Sequence, residues 1–193
     1  MPVELECKLR SPPHGALREK LRAAGASYVG RVLETNRLYD RADGSLRQSG
    51  RGLRIRSVEV LDGPAVRPTL TYKGPRTASA FKRREETEVE IGDAAVMAAV
   101  LAALGFAEAV SFEKRRESWR LEDCRIEMDE LPELGSFVEV EGSDEQAIRS
   151  ALTALGLSAA EVVDTSYVAM VAALLGKDAS RPLVLRFLTP RAT

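Results

Sequence analysis

Apolar and charged residues alternate along several stretches of the chain, a pattern that predicts β-strands with one apolar and one charged face. Residues 3–10, with the sequence VELECKLR, alternate without a break. The same pattern predicts strands at residues 53–56, 70–73, 82–91, 112–121, 125–129 and 137–141, and an irregular strand region or strand pair at residues 28–40.

Four other stretches have the spacing of amphipathic helices, at residues 11–24, 93–105, 143–156 and 158–175. Three of them are expected to begin at a capping serine and three to end at a glycine: Ser11, Ser143 and Ser158, and Gly25, Gly105 and Gly156. Because strands outnumber helices and short turns join most of them, the sequence predicts an α+β fold. Its antiparallel sheet would pack an apolar face against the helices.

One three-residue pattern occurs on three of the predicted strands, as Glu4-Leu5-Glu6, Glu88-Val89-Glu90 and Glu139-Val140-Glu141. Residues two apart in a strand lie on the same face, so each pattern directs two carboxylates one way and its apolar residue the other. Two cationic pairs, Arg54/Arg56 and Lys114/Arg116, have the same spacing. The charges are therefore sorted by strand.

The charged face has two interpretations. An open antiparallel sheet would leave it in water, where ion pairs across strands contribute ~0.2–1 kcal/mol each. A closed barrel would enclose it as a polar lumen. The sorting of the charges by strand favours an enclosed lumen, because a face that served only solubility would not need such sorting. The residues concerned are Glu4, Glu6, Lys8, Arg54, Arg56, Lys73, Glu88, Glu90, Lys114, Arg116, Glu127, Asp129, Glu139 and Glu141.

The chain has 193 residues, with 28 Lys and Arg against 29 Asp and Glu, so its net charge is −1. This balance gives no electrostatic reason to expect nucleic acid or a membrane as a partner. The N-terminus lacks the features of a secretory signal, and no uncharged apolar stretch is long enough to cross a bilayer. With only two cysteines and one histidine, we expect a cytoplasmic protein without a disulfide framework or a Cys/His metal cluster.

A strand face that carries both signs of charge suits a polyphosphate bound together with a metal ion. Carboxylate oxygens prefer hard ions such as Mg²⁺ or Mn²⁺, which also bridge to phosphate oxygens. Arginine and lysine side chains bind the phosphate oxygens themselves. The sequence has no Gly-x-x-x-x-Gly-Lys-Ser/Thr loop, so such binding would come from side chains on strands.

The same residues resemble the CYTH superfamily, also called the triphosphate tunnel metalloenzymes. The segment Glu4-Leu5-Glu6-Cys7-Lys8 matches the N-terminal Glu-x-Glu-x-Lys signature of that superfamily. The similarity continues in order and spacing through residues 36–40, 52–56, 70–75, 84–90, 113–116, 129–131, 134–141 and 164–167. It implies a closed eight-stranded antiparallel β-barrel with helices outside. The domain would span residues 1–176, followed by a C-terminal tail at residues 177–193.

The resemblance also implies roles for individual residues. The divalent metal, Mg²⁺ or Mn²⁺, would be held by Glu4, Glu6, Asp129, Glu139 and Glu141. The triphosphate would be bound by Lys8, Arg54, Arg56, Lys73, Lys114 and Arg116, with Glu88 and Glu90 as supporting residues of the substrate site. Catalysis would depend on Glu4, Glu6, Lys8, Glu139 and Glu141.

Three functions are compatible with this resemblance. The similarity is greatest to class IV adenylate cyclases, which convert ATP to cyclic AMP and pyrophosphate. Hydrolysis of tripolyphosphate, thiamine triphosphate or a nucleoside triphosphate is the alternative, because the superfamily shares its triphosphate-binding residues. A polyphosphate- or nucleotide-binding module without activity is the third, and the intact carboxylate set counts against it. Relatives of the class IV type are often homodimers, so a homodimer is an expectation as well.

Overall fold

A computed structural model describes residues 3–61, 63–77, 80–158, 161–176 and 182–188 of the chain. The strands are β1 (Val3–Arg10), β2 (Ser27–Arg41), β3 (Gly52–Val60), β4 (Thr69–Thr77), β5 (Lys82–Glu90), β6 (Phe106–Leu121), β7 (Cys124–Leu131), β8 (Gly135–Glu141) and β9 (Leu183–Leu185). The helices are α1 (His14–Ala23), α2 (Ser45–Gln48), α3 (Ala94–Ala103), α4 (Glu145–Ala154) and α5 (Tyr167–Leu175).

The first eight strands form a closed antiparallel barrel, which confirms the predicted fold. Their order is β2-β3-β4-β5-β1-β8-β7-β6, and β6 pairs again with β2. The closing contact is long, because β2 has 15 residues and β6 has 16. Residues 28–40 therefore belong to one continuous strand. The short β9 pairs in parallel with Val110–Phe112 of β6. The predicted domain boundary at Gly176 stays a prediction.

On β1, β3, β6, β7 and β8, apolar residues point out of the barrel and are covered by helices. Leu5, Cys7 and Leu9 of β1 form the largest core cluster together with residues of α1, α4, β6, β7 and β8. A smaller cluster packs α3 against β3 and β6. A third places α5 and β9 against Phe112 and Phe137. Two of these clusters lie outside the wall of the barrel. Phe112 and Phe137 of the third precede Lys114 and Glu139 by two residues, so this cluster lies on the inner face, at one end of the lumen. The rest of the inner face is left to polar side chains.

The glycines that were predicted to end helices do so. Gly25, Gly105 and Gly156 have φ angles of +77°, +82° and +58°, a left-handed conformation that glycine adopts without steric cost. These residues follow α1, α3 and α4.

The predicted capping serines were wrong in all three cases. Two prolines follow Ser11 and hold the chain extended, so α1 begins only after Pro13, whose ψ is 128°. The carboxylate of Asp144 caps α4 by accepting a hydrogen bond from the Ala147 amide at 2.8 Å. The last helix begins not at Ser158 but at Tyr167, after the cap Ser166. Before this helix, Val162 pairs with Leu9 of β1, which is not compatible with a helix at that position.

Candidate active site in the barrel lumen

The strand β1 is buried on both faces. Its apolar residues lie under α1 and α4, while Glu6 and Lys8 on the opposite face are only 7% and 6% exposed. The register places Glu6 directly opposite Lys82 of β5 and Glu141 of β8, so the inner faces of neighbouring strands share one space. The charged face is therefore an enclosed lumen and not a solvated surface.

Arg116 of β6 is the centre of a buried ion cluster in this lumen. Its guanidinium donates to both oxygens of Asp129 at 2.7 Å and to Glu139 at 2.6 Å. The ammonium of Lys114 lies 3.2 Å from Asp129 and 3.3 Å from Glu34 of β2. Asp129 has no exposed surface (0%). Pairing of this kind is what buried ions need, because each has lost its hydration.

A second group of ion pairs surrounds the first two carboxylates of β1. The ammonium of Lys73 on β4 lies 2.9 Å from Glu4 and 2.6 Å from Glu86 of β5. Glu6 forms an ion pair with Lys82. Lysines from neighbouring strands thus hold the first Glu-x-Glu pair.

Two arginines of β3 line another part of the lumen. Arg56 donates to Asn36 at 3.3 Å, and Arg54 donates to Thr71 at 3.2 Å. The Nε atoms of Arg54 and of Arg84 on β5 are buried and have no hydrogen-bond partner among the described residues. Buried donors are normally satisfied, and guanidinium groups bind anionic oxygens strongly. These two donors are therefore suited to an anionic ligand.

The cations of the lumen keep its central carboxylates ionised. Burial alone would raise the pKa of Glu4, but the charges of Lys73 and Lys82 lower it to about 2 from the ordinary 4.5. Burial opposes the ionisation of Glu139 as well, and Arg116 and Lys114 lower the pKa of that carboxyl to about 2.

At other positions, burial changes the pKa more than the neighbouring charges do. It lowers the pKa of Lys8, although Glu139 and Asp129 oppose this effect. It raises the pKa of Glu86, to which a hydrogen bond with Glu4 contributes. It also raises the pKa of Glu127, against the charge of Arg116. The lumen therefore contains strongly held ions beside groups for which the charged state is less favourable.

The five carboxylates predicted as metal ligands lie on the neighbouring strands β1, β7 and β8. Over the described ranges, no three carboxylate, thiol or imidazole side chains form a ready metal-ion group. Four of the five are instead paired with lumen cations, as described above for Glu4, Glu6, Asp129 and Glu139. Glu141 is half-buried opposite Glu6.

The predicted substrate residues are distributed unevenly. Lys8, Arg54, Arg56, Lys73, Lys114 and Arg116 lie in the lumen, where each is buried or half-buried. Glu88 accepts a hydrogen bond from Thr71 at 2.6 Å but is largely exposed, and Glu90 is exposed too. The second Glu-x-Glu pair is thus the most solvent-accessible of the three.

Several lumen residues were missed by the sequence analysis: Glu34, Asn36, Thr71, Lys82, Arg84, Glu86 and Tyr167. Lys82, Arg84 and Glu86 precede Glu88 at the same spacing of two residues. That spacing would have revealed these three lumen residues of β5. Glu34 and Asn36 were hidden because residues 28–40 were not recognised as one strand. Tyr167 comes from a helix, and no local pattern places it in the lumen.

A cavity of about 340 Å³ adjoins this charged space and is lined by Glu6, Lys8, Arg76, Thr77, Ala80, Phe81, Lys82, Val162, Val163 and Asp164. A larger cavity of about 540 Å³ lies on the outside between α1 and α4, with mostly alanine and leucine side chains around it. We assign the candidate site to the smaller cavity and the lumen beside it, because the buried ions are there.

A family model decides the classification. The CYTH domain model matches residues 3–167. The chain belongs to the CYTH family.

Relatives of this CYTH domain are found by sequence and by structure. It is 31% identical over 141 residues to a Methanocaldococcus jannaschii protein named "Putative adenylate cyclase", a match that covers 73% of this chain and 77% of that one. A Pyrococcus horikoshii OT3 protein has a similar structure, with a TM-score of 0.74 and 27% identity, covering 89% of this chain and 99% of that one.

A third relative is similar in fold alone. It is a Hippeastrum protein described as a "putative adenylyl cyclase" that "reveals a dominant triphosphatase activity". The TM-score is 0.64 at 22% identity, covering 85% of this chain and 92% of that one. In this CYTH domain, none of the described helices is long and apolar enough to cross a membrane.

The lowered pKa values of Glu4 and Glu139 predict a loss of stability in acid. A carboxyl with a folded pKa of about 2 stabilises the fold above its ordinary pKa of 4.5 and loses that contribution as the pH falls towards 2. We expect the free energy of unfolding, measured by urea titration, to decline across this window. The decline should be smaller in Glu139→Gln and Glu4→Gln than in wild type.

The exposed Glu19 of α1 provides the control, because Glu19→Gln removes a carboxyl outside the lumen. An acid-induced decline of equal size in wild type and in both lumen variants would contradict the assignment.

Proposed function

We propose that this CYTH domain is an enzyme that holds a triphosphate in the lumen and breaks one of its phosphoanhydride bonds. One observation carries the proposal: lysines and arginines of β1, β3, β4, β5 and β6 surround one enclosed space, and the buried Nε donors of Arg54 and Arg84 have no acceptor among the residues that the structure describes. Phosphoryl transfer depends on positioning and on stabilising negative charge, and such a lumen supplies both.

The phosphate oxygens would be bound by Lys8, Arg54, Arg56, Lys73, Lys114 and Arg116. Lys82 and Arg84 would join them, because both lie on β5 with the same spacing of two as its other lumen residues. Most of these cations now contact lumen carboxylates, as Lys73 contacts Glu4 and Arg116 contacts Glu139. A bound triphosphate would take over these cations, because its oxygens are equally good acceptors of charge-assisted hydrogen bonds. The carboxylates would then be released from their present partners.

The released carboxylates fit a divalent metal ion. The predicted ligands Glu4, Glu6, Asp129, Glu139 and Glu141 offer carboxylate oxygens, the donors that Mg²⁺ and Mn²⁺ prefer. The register supports a shared site, because it places Glu6 opposite Glu141. Glu4 lies two residues before Glu6 on β1 and so faces the same side. When bound, such an ion would neutralise phosphate charge and help to activate the nucleophile.

Adenylate cyclisation is the first candidate reaction. The ribose 3′-hydroxyl of ATP would attack the α-phosphorus and form cyclic AMP, and the bond to the β-phosphate would break and release pyrophosphate. The 31% identity to a protein named as an adenylate cyclase favours this reaction.

Triphosphate hydrolysis is the second candidate. Water would attack the terminal phosphorus and release orthophosphate, with the same cations holding the substrate. The activity ascribed to the Hippeastrum protein favours testing this reaction, since that protein shares the fold.

An activity assay separates the candidates. Purified protein with Mg²⁺ or Mn²⁺ would be given ATP and, separately, tripolyphosphate, and the products would be separated by anion-exchange chromatography. Cyclic AMP and pyrophosphate from ATP would support cyclisation, and orthophosphate from tripolyphosphate would support hydrolysis. No product from either substrate, with or without tight binding, would contradict the proposed enzyme.

Substitution of Arg56 tests the cationic lining. Arg56→Ala should weaken the binding of tripolyphosphate by at least ~10-fold, because a guanidinium and its charge-assisted hydrogen bonds are lost. Isothermal titration calorimetry at fixed ionic strength would measure the dissociation constant.

The matched control is Arg83→Ala. Arg83 is exposed on β5, opposite Leu5, and so belongs to the outer face of the barrel. An unchanged affinity in Arg56→Ala, or an equal loss in Arg83→Ala, would show that binding does not use the lumen.

A further inference from the structure

Tyr167 lies at one end of the lumen. It is the first residue of α5, and its ring is only 8% exposed. The ring packs edge-on against Phe137 and Phe112, with centroid distances of 5.2 Å and 6.5 Å. The segment at residues 164–167 contributed to the family resemblance, but no role was assigned to it.

The hydroxyl of Tyr167 enters the central ion cluster. It donates a hydrogen bond to Oδ2 of Asp129 at 2.9 Å. The same oxygen accepts hydrogen bonds from Lys114 at 3.2 Å and from Arg116 at 2.7 Å. Tyr167 therefore adds an uncharged donor to a carboxylate that is otherwise held by cations, and fixes its orientation.

The ring of Tyr167 supports two lumen ammonium groups. The Nζ of Lys8 lies 4.3 Å from the ring centroid, and that of Lys114 lies 5.4 Å from it. Both distances are typical of cation–π contacts. Lys114 also has carboxylate partners, but in the described part of the chain no carboxylate lies within ion-pair distance of Lys8.

Lys8 thus differs from Lys73, Lys82 and Lys114, each of which has a carboxylate partner. Its side chain is 6% exposed and lines the cavity of about 340 Å³. An aromatic face holds a cation without neutralising it, so the charge of Lys8 remains available to a ligand in that cavity.

The backbone around Lys8 is held by the segment that leads into Tyr167. The amide of Val163 donates to the Lys8 carbonyl at 2.7 Å, and Val162 pairs with Leu9. Arg76 of β4 binds Asp164, and its Nη2 donates to the Asp164 carbonyl at 2.7 Å. Main-chain and side-chain contacts from one segment therefore both act on Lys8.

We propose that Tyr167 is a positioning residue for Lys8. Its ring holds the Lys8 ammonium, which has no carboxylate partner within the described residues, at the end of the lumen. Its hydroxyl fixes Asp129 beside it. A phosphate group of the substrate would meet Lys8 there without having to displace a carboxylate. The identity of this ligand rests on the proposed function, whereas the placement of Lys8 by the ring does not.

Nuclear magnetic resonance tests the placement without any ligand. Protons of the Lys8 ε-methylene should be shifted upfield by the ring current of Tyr167, with Lys8→Ala used to assign the resonance. The shift should persist in Tyr167→Phe and disappear in Tyr167→Leu. The matched control is Tyr72→Leu, because Tyr72 is 39% exposed. This variant should leave the Lys8 shift in place. A normal Lys8 resonance in wild type, or an unchanged one in Tyr167→Leu, would overturn the proposal.

A double-mutant cycle tests the consequence for binding, with tripolyphosphate as the probe. Tyr167→Leu should weaken binding by at least ~10-fold in wild type but by less than ~3-fold in the Lys8→Ala background, because the two residues act through one contact. Equal losses in both backgrounds, or no loss, would overturn the proposal. Tyr167→Phe keeps the ring and should weaken binding by less than ~3-fold, so it remains a test if Tyr167→Leu does not fold. A loss of ~10-fold or more in Tyr167→Phe would assign the effect to the hydroxyl and overturn the proposal.

The two experiments separate this proposal from the proposed function. An upfield-shifted Lys8 in a protein that binds no tripolyphosphate would support the positioning of Lys8 and overturn the triphosphate site.

Discussion

Charges inside a closed barrel must be compensated, and this requirement governs the charged part of the inner surface of this CYTH domain. Moving an ion out of water costs several kcal/mol even after the protein relaxes. Ion pairs between strands offset this cost. Arg116 is paired with Asp129 and Glu139, and Lys73 is paired with Glu4 and Glu86. Removing one partner of such a pair leaves the other unpaired and typically costs about 3–5 kcal/mol.

The same pairing links stability to function. A lumen filled with paired ions is stable without a ligand, yet a triphosphate and a divalent ion carry charges of the same two kinds. They could replace the internal partners pair by pair, with the phosphate taking the cations and the metal taking the carboxylates. In the described part of the chain, the Nε donors of Arg54 and Arg84 have no acceptor and the Lys8 ammonium has no carboxylate partner, so a ligand would displace none at these positions.

The sequence predicted the wall of the barrel better than its closure. Alternation identified which residues of β1, β3, β7 and β8 share a face, since this depends only on neighbours two apart. The same alternation occurs in an open sheet, so closure came from the resemblance. Physically, closure depends on the pairing of β2 with β6, whose residues are far apart in sequence. Both the face of β2 and the role of Glu34 depend on that register.

For some of the residues that sequence reasoning missed, the place in the lumen is set by tertiary packing. Tyr167 enters from α5 because Val162 and Val163 attach the preceding segment to β1. The same attachment moved the start of the last helix from Ser158 to Tyr167. Ser11 failed as a cap for a local reason, the two prolines that follow it. Lys82 and Arg84 were open to prediction, because they continue the spacing of Glu88 and Glu90.

Triphosphate and metal are expected to take the places of the internal ion partners in the lumen. A crystal structure with tripolyphosphate and Mn²⁺ tests it most directly, because the anomalous signal of manganese locates the metal. We predict phosphate oxygens on Arg54, Arg56 and Arg116, with manganese bound by carboxylates of β1 and β8. Tripolyphosphate on the outer surface, or a lumen whose ion pairs are unchanged when the ligand is bound, would contradict this exchange of partners.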